Sequence, residues 1–154
     1  MAQITFKGWY YGDFKIGDEI ITASRTVTEA DIVNFAGLTG DWNPLHTDAE
    51  FAKNSVFKQR VAHGALTFAI MTGLLVRTGI IEETIYAFYG VDRLRFVKPV
   101  FIGDTLKVVA KITEKEDRGS VGLVVLDSKV VNQRNEVVLS CILKLLVKKK
   151  AGGG

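Results

Sequence analysis

Between Arg60 and Arg77 lies the longest mid-chain run without a charged side chain, Val61 to Val76. It is shorter than the ~20 apolar residues needed to span a bilayer, so it reads as a helix buried in a protein core. Ala62, Ala65, Leu66, Ala69, Ile70, Gly73, Leu74 and Val76 leave this helix almost no polar face. A helix that is apolar all round must be wrapped on most sides, and a strongly curved sheet is the obvious wrapper. The rest of the chain can supply it, because 154 residues that are 47% hydrophobic and 24% charged, with two prolines, make one folded domain around one core.

The flanking patterns fill in that plan. Gly17-Asp18 marks a turn, and the β-branched run Glu19 to Val27 predicts a first strand. Thr28 and Asp31 form a capping-box pattern ahead of Ile32, Phe35 and Ala36, and Gly40 stops that helix just before Asp41. Pro44 disfavours the helical conformation at Asn43, so Asp41 to His46 is expected to be an irregular loop, exposed or lining a cleft. Asp48 can cap a further short helical turn through Phe51 and Ala52, and His63-Gly64 then opens the apolar helix. The remainder is β-rich: Ile85 to Val97, a turn at Gly103-Asp104, Thr105 to Thr113, a turn around Asp117-Arg118-Gly119, and two runs separated by Asn132 to Asn135. Leu106, Val108, Ala110 and Ile112 alternate with mostly polar neighbours, and Val137, Leu139, Cys141, Leu143, Leu145 and Val147 repeat the period. The order predicts a single α+β domain over residues 1–150, an antiparallel meander of hairpin-length connections with a central helix in its hollow. Ala151 to Gly154 reads as a flexible tail extraneous to the fold.

Composition narrows the function classes. The single cysteine, Cys141, excludes a disulfide scaffold and a cysteine-based zinc site and suits a reducing compartment such as the cytoplasm. No basic segment followed by an apolar run is visible at the N-terminus, so neither a secretory signal nor a membrane association is expected. The net charge of +3 is a property of Lys144, Lys148, Lys149 and Lys150, without which the balance turns slightly negative. A nucleic-acid surface would spread its cations over a folded face among stacking aromatics, so these lysines read as a solvated end and no nucleic-acid partner is expected.

The chain has only two histidines. His46 follows Asp41 at five residues' distance, and a carboxylate and an imidazole within reach of one water can activate it, the ring taking one proton while the acid orients the water. Equally, Asp41 can simply end the preceding helix, with Asn43 making a local turn and His46 capping the next segment. Gly64 opens the buried helix, where free amides and the positive end of the dipole make its N–H a candidate oxyanion donor. His63 reads as structural. Thr72, two turns further along, either bonds back to a helix carbonyl or holds a catalytic side chain. Two histidines with Asp41 and no third clear ligand argue against zinc.

Gly40-Asp41-Trp42-Asn43-Pro44-Leu45-His46, followed by Val61-Ala62-His63-Gly64 and an apolar helix, closely resembles the hydratase motif of the MaoC-like, (R)-specific enoyl-CoA hydratases. Arg95 to Leu106 is similar to a strand and hairpin of the same family, so the resemblance covers nearly the whole chain. It implies the hot-dog fold: a curved antiparallel sheet wrapped around a long central helix, with a short helical overhang carrying the motif. It implies that Asp41 and His46 are the catalytic pair, that Asn43 supports the loop, that the Gly64 amide polarises a thioester carbonyl, and that Thr72 stands where relatives often carry serine. The implied reaction is hydration of a trans-2-enoyl-CoA to an (R)-3-hydroxyacyl-CoA, with no metal and no cofactor beyond the coenzyme A of the substrate. Lys53, Lys58, Arg60, Arg93, Arg95 and Lys98 are available for its phosphates. A homodimer or dimer of dimers is implied as well. The rival readings are a hot-dog thioesterase and a non-catalytic acyl-thioester-binding module.

Overall fold

Local signals in the first third of the chain build a run of short elements. In the computed structural model, which describes residues 1–152, Thr28 and Asp31 close a reciprocal capping box, Thr28 N–H donating to Asp31 Oδ2 at 2.8 Å and Asp31 N–H to Thr28 Oγ1 at 3.3 Å. Helix α1 follows at Glu29–Thr39. The expected first strand is broken in two, β1 at Glu19–Ile21 and β2 at Arg25–Thr26, both antiparallel to β4 at Thr105–Arg118. The Thr22 hydroxyl accepts the Val108 N–H at 2.9 Å, and this side-chain bond competes with a continuous backbone ladder. Asp48 caps α3 (Ala49–Lys53) through the Phe51 N–H at 3.0 Å, after the single turn of α2 (Pro44–Thr47).

The long apolar helix, α4 at Gly64–Val76, lies where the uncharged stretch placed it. Its Leu66, Ile70, Met71 and Leu74 join one core with Leu106, Val108, Ala110 and Ile112 of β4 and with Leu139, Cys141, Leu143 and Leu145 of β6 (Val137–Lys148). The wrapping is incomplete, however: Ala65, Ala69, Gly73 and Val76 are exposed and form an open stripe of mostly small residues. The absence of polar side chains there reflects size rather than burial, a distinction that hydropathy does not make.

Six strands form one antiparallel sheet in the order β1-β4-β5-β6-β3, with β2 also on β4. The meander holds for β4, β5 (Val121–Val131) and β6, whereas β3 (Ile85–Phe96) pairs with β6 at the far edge, so the β3–β4 connection is a crossover rather than a hairpin. Tyr86, Phe88, Tyr89 and Phe96 of this edge strand are exposed. The terminal lysines are also tied into the fold: Lys148 Nζ donates to Glu83 O at 3.0 Å and Lys149 pairs with Asp117 at 2.7 Å. Lys148 and Lys149 are therefore held against the fold rather than loose in solvent; residues 153 and 154 of the expected tail lie outside the described residues. The Cys141 thiol is 2% exposed, and burial pushes its pKa up to about 11. Among the described residues no helix is long and apolar enough to cross a membrane.

Two consequences are measurable. A methyl built on Gly122 of β5 would stand 2.0 Å from Tyr11 Cδ2, so Gly122→Ala should lower stability by about 1–3 kcal/mol in urea titration, and the penalty should shrink in a Tyr11→Ala background. In the β5–β6 turn, hydrogen bonds from Lys98, Arg134 and Asn132 hold the Glu136 carboxyl down to about 2 from its ordinary 4.5. A depressed acid contributes stability above its unfolded value and loses it as pH falls through the folded one. Thermal midpoints of wild type and Glu136→Gln should therefore differ at pH 6 and converge between pH 4.5 and 2.

Candidate active site

The end of α1 aims the chain into the site. Gly40 takes the left-handed conformation at φ 80°, and its N–H closes the helix on Ala36 O at 2.8 Å. The chain then enters a series of side-chain caps. Asp41 donates its N–H to Thr39 Oγ1 at 3.1 Å and accepts the Asn43 N–H on Oδ1 at 3.2 Å. Asn43, extended at φ −51° and ψ 132°, caps α2 by accepting the Leu45 N–H at 2.9 Å, with Pro44 in the first helical position. Pro44 thus constrains Asn43 as expected and at the same time starts a helical turn, so His46 sits on a helix and not on an irregular loop. Asn43 supports this turn; its side chain reaches the backbone rather than the imidazole.

The opposite wall is the segment Val61 to Gly64. Val61 bridges Phe101, and the Ala62 N–H donates to Val100 O at 2.8 Å, anchoring the segment to the body of the fold. From this anchor Val61 N–H reaches Leu45 O at 3.3 Å, and His46 Nδ1 lies 2.7 Å from Val61 O. A carbonyl oxygen only accepts, so Nδ1 carries the hydrogen and Nε2 presents its lone pair. His63, 2% exposed, places Nε2 3.0 Å from the Asp41 carbonyl, and its ring stacks on that of His46 with centroids 3.9 Å apart. One donor atom from each of Asp41, His46 and His63 falls within 4.8 Å of the others. These three also have the residue types of a cation site. Nδ1 of His46 and Nε2 of His63 are already committed to carbonyls, however, and His63 Nδ1 is buried, which leaves His46 Nε2 and the Asp41 carboxylate as the outward-facing pair.

Gly64 begins α4, ahead of the helical hydrogen-bond ladder. A Cβ at this position would meet the exposed Phe96 ring at 2.9 Å, so any larger residue here would have to displace that ring. A cavity of about 290 Å³ opens alongside, its walls including Leu45, Phe57, Val61, Gly64, Phe96 and Val100. Neither Asp41 nor His46 is among the residues that line it. Of the residues singled out, Asp41, Asn43, His46 and Gly64 converge, whereas Thr72 does not: its hydroxyl donates to Ala69 O at 2.7 Å, the helix-carbonyl alternative. Among the cations, Lys53 pairs with Glu50, Arg60 with Glu29 and Lys98 with Glu136. Lys58, Arg93 and Arg95 form no ion pair among the described residues. The sequence understated His63, whose link to Asp41 crosses 22 residues; the one cue was that the chain holds no other histidine besides His46.

Comparison with known proteins gives this geometry its context. The MaoC like domain matches residues 13–133. The chain belongs to this MaoC-like dehydratase family. It is 43% identical to protein MaoC of Klebsiella aerogenes over 99 residues, 64% of this chain and 29% of that protein. It is 38% identical over 104 residues to an (R)-specific enoyl-CoA hydratase of Rhodospirillum rubrum, 68% of this chain and 69% of that one. The chain thus spans less than a third of the Klebsiella protein and about two thirds of the Rhodospirillum one. The fold is the hot-dog fold: a Mycobacterium tuberculosis protein with a double hotdog fold, 17% identical, matches with a TM-score of 0.84 over 96% of this chain and 46% of that one. The MaoC-like family is one of hydratases and dehydratases, lyase-type enzymes.

The cap on α2 is testable apart from any activity. Asn43→Ala should cost about 1 kcal/mol in chemical denaturation and Asn43→Asp much less, because aspartate also accepts the Leu45 N–H.

Proposed function

We propose that this chain catalyses the reversible syn addition of water to a trans-2-enoyl-CoA, giving an (R)-3-hydroxyacyl-CoA. What supports this reading most is the fixing of His46: its Nδ1–H is committed to Val61 O, so Nε2 is the free base, and the Asp41 carboxylate shares its neighbourhood. In the proposed step His46 Nε2 removes a proton from water as the oxygen bonds to C3, and the C2–C3 π pair moves into an enolate. The Asp41 carboxylate holds the water, and the proton taken by His46 returns to C2 through that array, so the net change is one water added. Negative charge collecting on the thioester oxygen would be met by the Gly64 amide, a kind of donor whose loss typically costs ~3–4 kcal/mol in the transition state.

The acyl chain has the cavity beside Gly64 to enter, where Phe57 and Val100 offer apolar walls. Coenzyme A is the proposed carrier, with Lys58, Arg93 and Arg95 as its unpaired cations. We propose a homodimer too, supported by the open stripe Ala65, Ala69 and Gly73 on α4 and by the exposed aromatic edge of β3. The single cysteine fits a cytoplasmic setting.

Crotonyl-CoA separates the readings. Loss of the conjugated enoyl absorbance without thiol release supports hydration, thiol release indicates hydrolysis, and binding with neither indicates a non-catalytic module. His46→Ala and Asp41→Asn should each lower turnover by several orders of magnitude while the protein stays folded, and near-normal rates in both would refute the assignment. Thr72→Val should fall much less far.

A further inference from the structure

One buried polar side chain has no part in the proposed proton transfers, yet touches both residues that do. We propose that His63 is a positioning residue, its Nε2–H held on the Asp41 carbonyl and its ring stacked on His46 so that the two outward-facing groups keep one separation and one orientation. This inference rests on the hydratase reading for its kinetic half and stands without it for its structural half.

Hydrogen-bond partners decide the tautomer. Nε2 lies 3.0 Å from Asp41 O, an atom that only accepts, so the hydrogen of the ring is on Nε2. Nδ1 is buried and has no hydrogen-bond partner. A buried polar atom left without a partner is costly. A side chain whose only role was to fill the core would avoid that cost, since an apolar ring fits a buried site without it. The ring is also fixed on both sides, stacked on His46 at 29° between planes and packed against Phe35 of α1 with centroids 4.9 Å apart. It therefore connects α1, the Asp41 turn and α2 to the start of α4, at the residue immediately before the candidate oxyanion amide.

The restraint acts on the freedoms that the other bonds leave open. The Val61 carbonyl fixes one nitrogen of His46 but permits rotation about that bond, and the stack limits this rotation. Asp41 is exposed, and its side chain is otherwise restrained only by the Asn43 N–H. The bond from His63 ties its backbone to the same segment that ties His46. Misplacement of a reacting group by about 1 Å can lower a rate by about 100-fold.

Two variants divide the roles. His63→Phe keeps a stacking ring and loses the donor, whereas His63→Gln keeps a donor near the Nε2 position and loses the ring. In His63→Phe the kcat for crotonyl-CoA hydration should fall 10- to 100-fold with KM within threefold, and His63→Gln should recover part of that loss. Nitrogen-15 NMR reads the tautomers directly, with just two imidazoles to assign. Wild type should show His46 as the Nδ1–H tautomer and His63 as the Nε2–H tautomer, and His46 should stay Nδ1–H in both variants, because Val61 O still accepts that hydrogen. A wild-type kcat in His63→Phe, or a wild-type His63 that carries its hydrogen on Nδ1, overturns the proposal. Should wild type fail to hydrate crotonyl-CoA, the hydratase reading falls, and the tautomers alone decide the structural claim.

Discussion

The site depends on a short stretch of extended backbone, Val61 to His63, caught between the body of the fold and the turn that precedes it. On one side this backbone is fixed by the Val61–Phe101 bridge and the Ala62 bond to Val100 O. On the other it takes hold of Leu45 and His46 through two backbone groups of Val61, and of the Asp41 carbonyl through the His63 side chain. The next residue begins α4, whose apolar side is sunk in the sheet. Burial of that helix therefore does more than stabilise the chain. It sets the height at which a candidate base, a candidate acid and a helix-start amide face one another, so that core packing and site geometry share one origin.

Much of the fold is legible in the sequence wherever the determining contacts are local. The Thr28/Asp31 box, the left-handed Gly40, the Asp48 cap and the alternation in β4 and β6 each depend on neighbours within a few positions, and each is present. Pro44 has the expected effect on Asn43, but proline is also apt for a first helical position, and for that reason α2 stands where the sequence suggests a loop. The split of β1 from β2 turns on Thr22 bonding to Val108, 86 residues away, and the placing of β3 beside β6 is likewise non-local. Hydropathy identifies α4 as apolar but cannot distinguish a small exposed residue from a small buried one, so the open stripe at Ala65, Ala69 and Gly73 is visible only in the folded chain.

For the site, residue types and spacing suffice to place Asp41, Asn43 and His46 on one turn and Gly64 at the start of the helix most marked in the sequence, while only the family resemblance brings that turn and that helix start together. The catalytic alternative for Thr72 had only the family resemblance in its favour, and its hydroxyl has a partner one turn back on its own helix. The weight resting on His63 emerges only when segments 22 residues apart are folded against each other. The proposed chemistry thus draws on two kinds of information: a motif that can be read along the chain, and a stacking and hydrogen-bonding arrangement that exists only once the core has formed.

The buried thiol has a practical consequence. With its proton retained to about 11 and 2% of its surface open, Cys141 offers almost no thiolate to an electrophile while β6 stays in the sheet. A maleimide or disulfide reagent would therefore gain access only when that strand pulls away from its neighbours. The rate of adduct formation then serves as a clock for opening events at the centre of the molecule, recorded by one sulfur atom that the folded protein keeps chemically silent.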